Sequence, residues 1–297
     1  MLNPRPRGDA ESGSLGSHTG SELPSGAGQT FTADRSRRDF VFGYHEVQEE
    51  PSEYFYQLSA KQFETHLIFF SEYARQHGSK RSRPVITFDD GHRSNYEVAF
   101  PLLEKFSCKA IFFVLTGKVG TAGFVSWEQL RKMAAAGHRI ESHGWSHRLL
   151  TQCSDLALTE EVERSKKTLE DHLGSRVVAM SAPGGRWSER IVESCERFGL
   201  MEFFHSNPWE LERACGTVRI AGRLMASSSM SSADLRKNLD AGEIRRFAMR
   251  SKYMAKDGAR RLLGDSLYHR IWCQLANWKS GEETEVQVSQ RIEGNRV

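Results

Sequence analysis

An α/β fold with parallel strands, arranged as a sheet or a barrel, is predicted by three features of the sequence. Short β-favouring runs alternate with helical patterns about seven times. Conspicuous polar clusters follow directly on those runs, on what would be one rim. The 297 residues, 38% of them hydrophobic, suffice to bury a sizeable core in one large domain or two small ones.

Taken in order, Met1 to Thr30 contain no Ile, Val or aromatic residue and are rich in Gly, Ser and Pro. Such a segment cannot offset its ordering entropy by burial, so residues 1–38 are expected to be a disordered tail. The strand candidates are then Asp39 to His45, Pro84 to Phe88, Lys109 to Leu115, His138 to Ser142, Arg176 to Met180, Leu200 to Phe204 and Thr217 to Ala221. Between them, Ser59 and Gln62 are spaced as a capping box that opens a helix with Phe63, Leu67, Phe70 and Ala74 on one face. Ser126 and Gln129 repeat the device, and Gly137 closes that helix. Thr159 to Leu173 and Ser188 to Phe198 read as helices too, and no internal repeat is visible.

In parallel α/β folds, ligand sites lie beyond the carboxyl ends of the strands. Here YHE, DDGH, HGWSH, APGGR and HSNPW each follow a strand candidate. Asp89 and Asp90 alone would pass for a solvated turn, since Asp-Gly is a common turn dipeptide. On one rim with His143 and His147, spaced i and i+4, they suggest an open metal site of two imidazoles and one carboxylate. Zinc suits such ligands, as do cobalt, nickel and manganese. One carboxylate would ligate while its neighbour accepts the proton of metal-bound water, and the ion would offset the repulsion between them. His143 and His147 are expected in a loop or a single helical turn, because Gly144 lies between them.

A formal charge of +3 does not suggest a dedicated nucleic-acid binder. The five scattered cysteines, Cys108, Cys153, Cys195, Cys215 and Cys273, contain no C-x-x-C pair and read as reduced thiols. The opening residues lack the apolar core of a signal peptide, and the longest apolar run, Ala110 to Leu115, is too short to cross a bilayer. A cytoplasmic location is the resulting expectation.

TFDDG, the spaced SHGWSH and the later APGG resemble the motifs of the polysaccharide deacetylases of carbohydrate esterase family 4, the NodB homology fold. The resemblance runs from about Phe40 to Arg223 and implies a distorted (β/α)7 barrel over residues 39–230. It further implies metal-dependent hydrolysis of N-acetyl groups, less often O-acetyl groups, on an aminosugar-containing glycan. By position, Asp89 matches the catalytic base, and Asp90, His143 and His147 match the metal ligands. The third family motif falls on Ser181 to Gly185, so that Pro183, Gly184 and Gly185 would border the oxyanion. The Tyr-His opening strand and the helix after it are similar to those of exopolysaccharide-cluster deacetylases.

Two positions depart from the family pattern. Ser181 replaces the arginine that braces the catalytic aspartate, and Arg186 is the expected stand-in. RIAGRLMASSS contains no histidine where the family supplies its general acid, so His205 and His45, both on the predicted rim, are the substitutes. Beyond the barrel, residues 231–297 read as a basic helical extension. Ile244, Phe247, Met254, Leu263, Leu267, Ile271 and Leu275 give partial stripes there, which either pack on the domain or lie on an anionic membrane. Tyr268, Trp272 and Trp278 serve sugar stacking or packing equally well. The competing functions are hydrolysis of linear or cyclic amides, and glycan binding with little catalysis.

Overall fold

A computed structural model describes residues 39–50, 54–77, 84–210 and 213–263. The tail expected over 1–38, and Leu267, Tyr268, Ile271, Trp272, Cys273, Leu275 and Trp278, lie outside the described residues. The chain begins with β1 (Phe40–Tyr44), a two-stranded side ribbon of β2 (Glu46–Gln48) and β3 (Gln57–Ser59), and α1 (Ala60–His77). It continues with β4 (Pro84–Phe88), α2 (Phe100–Lys105), β5 (Ala110–Val114), α3 (Trp127–Ala135) and β6 (Arg139–Ser142). Next come α4 (Asp155–Thr159), α5 (Ser165–Leu173), β7 (Ala179–Ser181), α6 (Glu189–Arg197) and β8 (Glu202–His205). The last elements are β9 (Arg213–Cys215), β10 (Val218–Met225), α7 (Ser232–Leu239) and α8 (Glu243–Leu263).

Seven strands run parallel in the order β1-β4-β5-β6-β7-β8-β10, and the pairing of β10 with β1 closes the barrel. β9 is an antiparallel addition outside it, paired with β10. Alternate residues of the strands point inward, and Val41, Val85, Ile111, Phe113, Ala179, Phe204 and Ala221 fill the interior. The larger apolar cluster lies between barrel and helices, where Phe42, Phe88, Phe112 and Phe203 meet Phe63, Leu130, Leu169 and Ile191.

The barrel is distorted where β7 pairs with β6 through a single register position, Ser142 with Met180. The strand expected from Arg176 begins only at Ala179, because the buried Glu141 carboxylate accepts from Val178 N at 2.9 Å and Ala179 N at 2.8 Å. A side chain thus replaces the missing ladder. The expected capping box at α1 is half made: Ser59 accepts from Gln62 N, but the Gln62 amide donates to the carbonyls of Ser228 and Met230. Ser126 and Gln129 form the complete reciprocal box. Ala74 is exposed, and the buried face of α1 continues through Tyr73 instead.

α7 packs into the same core through Leu235 and Leu239, and the Tyr73 hydroxyl donates to Asp240 at 3.1 Å. α8 leaves Ile244 and Phe247 exposed. The four cysteines among the described residues are unpaired. No helix among the described residues is long and apolar enough to cross a membrane.

Candidate active site

At the end of β4 the chain leaves extended geometry abruptly, with φ +70° at Asp90 and +72° at Gly91. A side chain in left-handed backbone costs about 1–2 kcal/mol, so Asp90 must be held there. Asp89 N donates to Tyr44 O at 2.8 Å, Gly91 N to Asp89 O at 2.9 Å and Leu115 N to Asp90 O at 3.2 Å. Gly91 meets the same backbone demand without penalty, and a Cβ there would lie 3.0 Å from Val114.

Residues 143–147 leave β6 as a loop, with no helical turn. Its course is pinned from both sides. His143 N donates to Val114 O, while the carbonyls of Gly144 and Trp145 accept from Thr116 N and Gly117 N. The buried Glu161 carboxylate accepts from Trp145 N at 2.8 Å, from Ser146 N at 2.9 Å and from the Ser146 hydroxyl. No local sequence pattern marks this anchoring role of Glu161, which lies 16 residues from Trp145. His147 has φ +70°, a second side chain held in left-handed backbone.

The loop delivers both imidazoles to Asp90. Its Oδ1 lies 3.3 Å from His143 Nε2 and 3.5 Å from His147 Nε2, and one ligand atom from each residue falls within 4.8 Å of the others. Ser181 sits between His143 and Asp89. Its hydroxyl donates to Asp89 Oδ1 at 3.1 Å and lies 2.5 Å from His143 Nδ1. With its proton given to Asp89, that hydroxyl accepts from His143 Nδ1–H, which turns the Nε2 lone pair toward Asp90. Asp90 Oδ1 is buried and has no hydrogen-bond partner among the described residues.

Two buried lone-pair atoms facing one another call for positive charge between them. Burial resists ionising Asp90, but His143, His147 and His45 outweigh it and hold its carboxyl well below the usual range. Burial likewise pulls the His143 imidazole down, and Asp89 and Asp90 push it up by more. The cluster therefore attracts a cation, as a proton or a metal ion, and its donor set fits a divalent N/O-ligated metal.

Asp89 is tied more firmly still. Burial raises its carboxyl, yet the Arg223 guanidinium, and after it His143, bring it below the ordinary carboxylate range. Arg223, fully buried inside the barrel on β10, donates from one terminal nitrogen to Oδ1 at 2.7 Å and from the other to Oδ2 at 2.6 Å. It also reaches the Thr87 hydroxyl at 3.1 Å and lies 5.3 Å from the Phe113 ring centre. This is the brace that was expected of Arg186. β10 runs on to Met225, so Arg223 is an inward position of a strand rather than part of a loop. An arginine two residues past the predicted strand end, in phase with Ala221, was the available signal.

Asp89, His143 and His147 line one pocket with His45, Tyr56, Gly184, Gly185, Ser206 and Met225. Pro183 to Gly185 form a tight turn after β7, with Gly185 at φ +67° and a Cβ there only 2.3 Å from the Ser206 hydroxyl. Arg186 follows that turn and is half-buried. The His45 ring lies 5.0 Å from that of Tyr56, and its Nδ1 is buried without a hydrogen-bond partner among the described residues.

His205 sits elsewhere. It is not part of that lining; its ring stacks on Trp187 at 5.7 Å and its Nδ1 accepts from Asn207 N at 3.2 Å. Burial, with Arg223 and Arg213 nearby, lowers it to about 3. Of the two expected acids, the structure thus places His45 in the pocket lining and His205 beside Trp187.

Residues 77–203 match the family model for polysaccharide deacetylase. Over 147 residues the chain is 31% identical to YxkH of Bacillus subtilis, which carries a provisional polysaccharide deacetylase name; this is 50% of the chain and 52% of that protein. It is 24% identical to the poly-beta-1,6-N-acetyl-D-glucosamine N-deacetylase of Staphylococcus aureus, covering 49% of the chain and 59% of that protein. The chain thus spans about half the length of these relatives. The deacetylase PplD of Streptococcus pyogenes superposes with a TM-score of 0.60 at 21% identity, over 68% of this chain and 98% of that one. That likeness supports the NodB-type (β/α)7 barrel.

Proposed function

Because the chain carries a polysaccharide deacetylase domain of the NodB type, we propose that it hydrolyses N-acetyl groups on an aminosugar-containing polysaccharide or glycan. The observation that carries this reading is the Asp90–His143–His147 cluster, with its unpartnered buried carboxylate oxygen, set beside an Asp89 ionised by Arg223. Asp90, His143 and His147 would hold a divalent ion, zinc first and cobalt, nickel or manganese as substitutes. When bound there, such an ion supplies Lewis acidity and lowers the pKa of an attacking water.

The remaining steps belong to the protein. Asp89 is the general base, kept ionised to receive a proton and kept in place by the Arg223 fork and the Ser181 hydroxyl. Ser181 also sets the tautomer of His143. The turn at Pro183, Gly184 and Gly185, followed by Arg186, borders the acetamide oxygen, and the Gly184 main-chain N–H is its donor. His45 is the general acid that protonates the leaving amine, because it alone among the predicted acids lines the pocket and has an unpartnered ring nitrogen. The named activity of the Staphylococcus aureus relative supports N-acetylglucosamine polymers as the substrate class.

Metal analysis and acetate release from acetylated glucosamine polymers, with Asp89→Asn as control, test the reading. Metal-dependent acetate release that the substitution abolishes is expected. A metal-loaded chain that releases no acetate yet hydrolyses small cyclic amides overturns the substrate class. An Asp89→Asn protein with full activity overturns the mechanism.

A further inference from the structure

The helix α8 has two apolar faces, and only one of them is used. Met249 and Tyr253 pack on the core, while Arg246 Nε donates to Ala241 O at 2.8 Å and fastens the first turn. On the other side Ile244, Phe247, Met254 and Leu262 are 89%, 72%, 61% and 89% exposed. Ala248, Ser251, Ala255 and Ala259, also exposed, lie among them. At 3.6 residues per turn these eight positions fall in one strip about 140° wide, running the length of the helix. Four large apolar side chains aligned on one exposed strip form an interaction surface rather than scattered surface residues.

The charges around the strip indicate what covers it. Exposed Arg245 and Lys252 border one edge, and half-buried Arg250 lies toward the other. α8 holds seven basic residues against two acidic ones in a chain whose whole formal charge is +3, so the positive charge of the molecule is concentrated here. A second copy of the chain, docked face to face about a two-fold axis, would set these cations against their equals. Anionic headgroups complement them, while the strip between enters the acyl boundary and small residues let the helix lie close.

We propose that α8 is an interfacial anchor that lays the Ile244–Phe247–Met254–Leu262 strip on an anionic lipid bilayer. This inference rests on α8 alone and is independent of the deacetylase reading.

The test is co-sedimentation of the full chain with phosphatidylcholine vesicles, with and without phosphatidylserine. Binding to the phosphatidylserine vesicles that weakens as salt is raised is expected, with little binding to phosphatidylcholine alone. The exposed pair Ile244→Glu and Phe247→Glu should lower binding at least tenfold without changing the melting temperature. Lys252→Glu with Arg245→Glu should remove the preference for phosphatidylserine. Failure of the full chain to bind anionic vesicles overturns the proposal. So does binding untouched by the apolar substitutions, or a dimer in gel filtration that those substitutions dissociate, since the strip would then belong to a second copy.

Discussion

The two sides of the pocket are built on opposite principles. On the Asp89 side the carboxylate is fully engaged: Arg223 grips both of its oxygens, Ser181 bonds one of them, and Arg223 donates in turn to the Thr87 hydroxyl. On the His45 side the ring rests against Tyr56, and its buried Nδ1 has no hydrogen-bond partner among the described residues. A base must stand ionised and aimed before substrate arrives, which demands fixed partners. Under the proposed mechanism the proton donor must be free to meet the substrate, and a nitrogen left uncommitted suits that role.

That contrast can be broken most severely at Asp89. Asp89→Asn should lower the rate of acetate release by up to about 10⁴-fold while metal content, read by atomic absorption, is retained. Next in size is Arg223→Ala, which strands a buried carboxylate and should cost about 3–5 kcal/mol in denaturant-unfolding stability. Arg223→Lys should recover only part of this, because the two-pronged geometry is lost. On the other side, His45→Gln should reduce kcat by about 10²-fold with an unchanged melting temperature, since the ring nitrogen supports nothing in the fold.

The last prediction concerns pH dependence and His205, whose ring packs on Trp187. Its folded pKa lies near 3, below the unfolded value of about 6.5, so the unfolded chain binds the extra proton between these limits. Stability should therefore fall by about 1.4 kcal/mol for each pH unit below pH ~6.5, and wild type minus His205→Gln in urea titrations isolates that slope. A slope identical in the two proteins would return His205 to the list of titrating groups.

Much of the site was legible because it is local. Asp89 and Asp90 follow an apolar run with a Gly behind them, and His143 and His147 belong to one five-residue loop, so strand ends alone predict a shared rim. The limits of β4 are local for the same reason: an apolar β-favouring run opened by proline. What escaped reading depends on register. Glu161 holds the histidine loop from 16 residues away, and Ser181 joins the residues that directly follow two other strands. Val177 and Val178 fit a strand pattern but precede β7, and at that junction the Glu141 carboxylate accepts hydrogen bonds from the amides of Val178 and Ala179.

By itself, then, the sequence determined the barrel's alternating grammar, the rim, and the three residues that would hold a metal, since each follows from spacing within a few residues of a strand end. The tertiary structure decided who braces Asp89 and who lines the pocket. Closure of β10 on β1 brings Arg223 to Asp89 across 134 positions of chain, and the same closure leaves His45 in the pocket while His205 stacks on Trp187 outside it. Local patterns constrain which way a side chain alternates; only the closed barrel determines what it meets there.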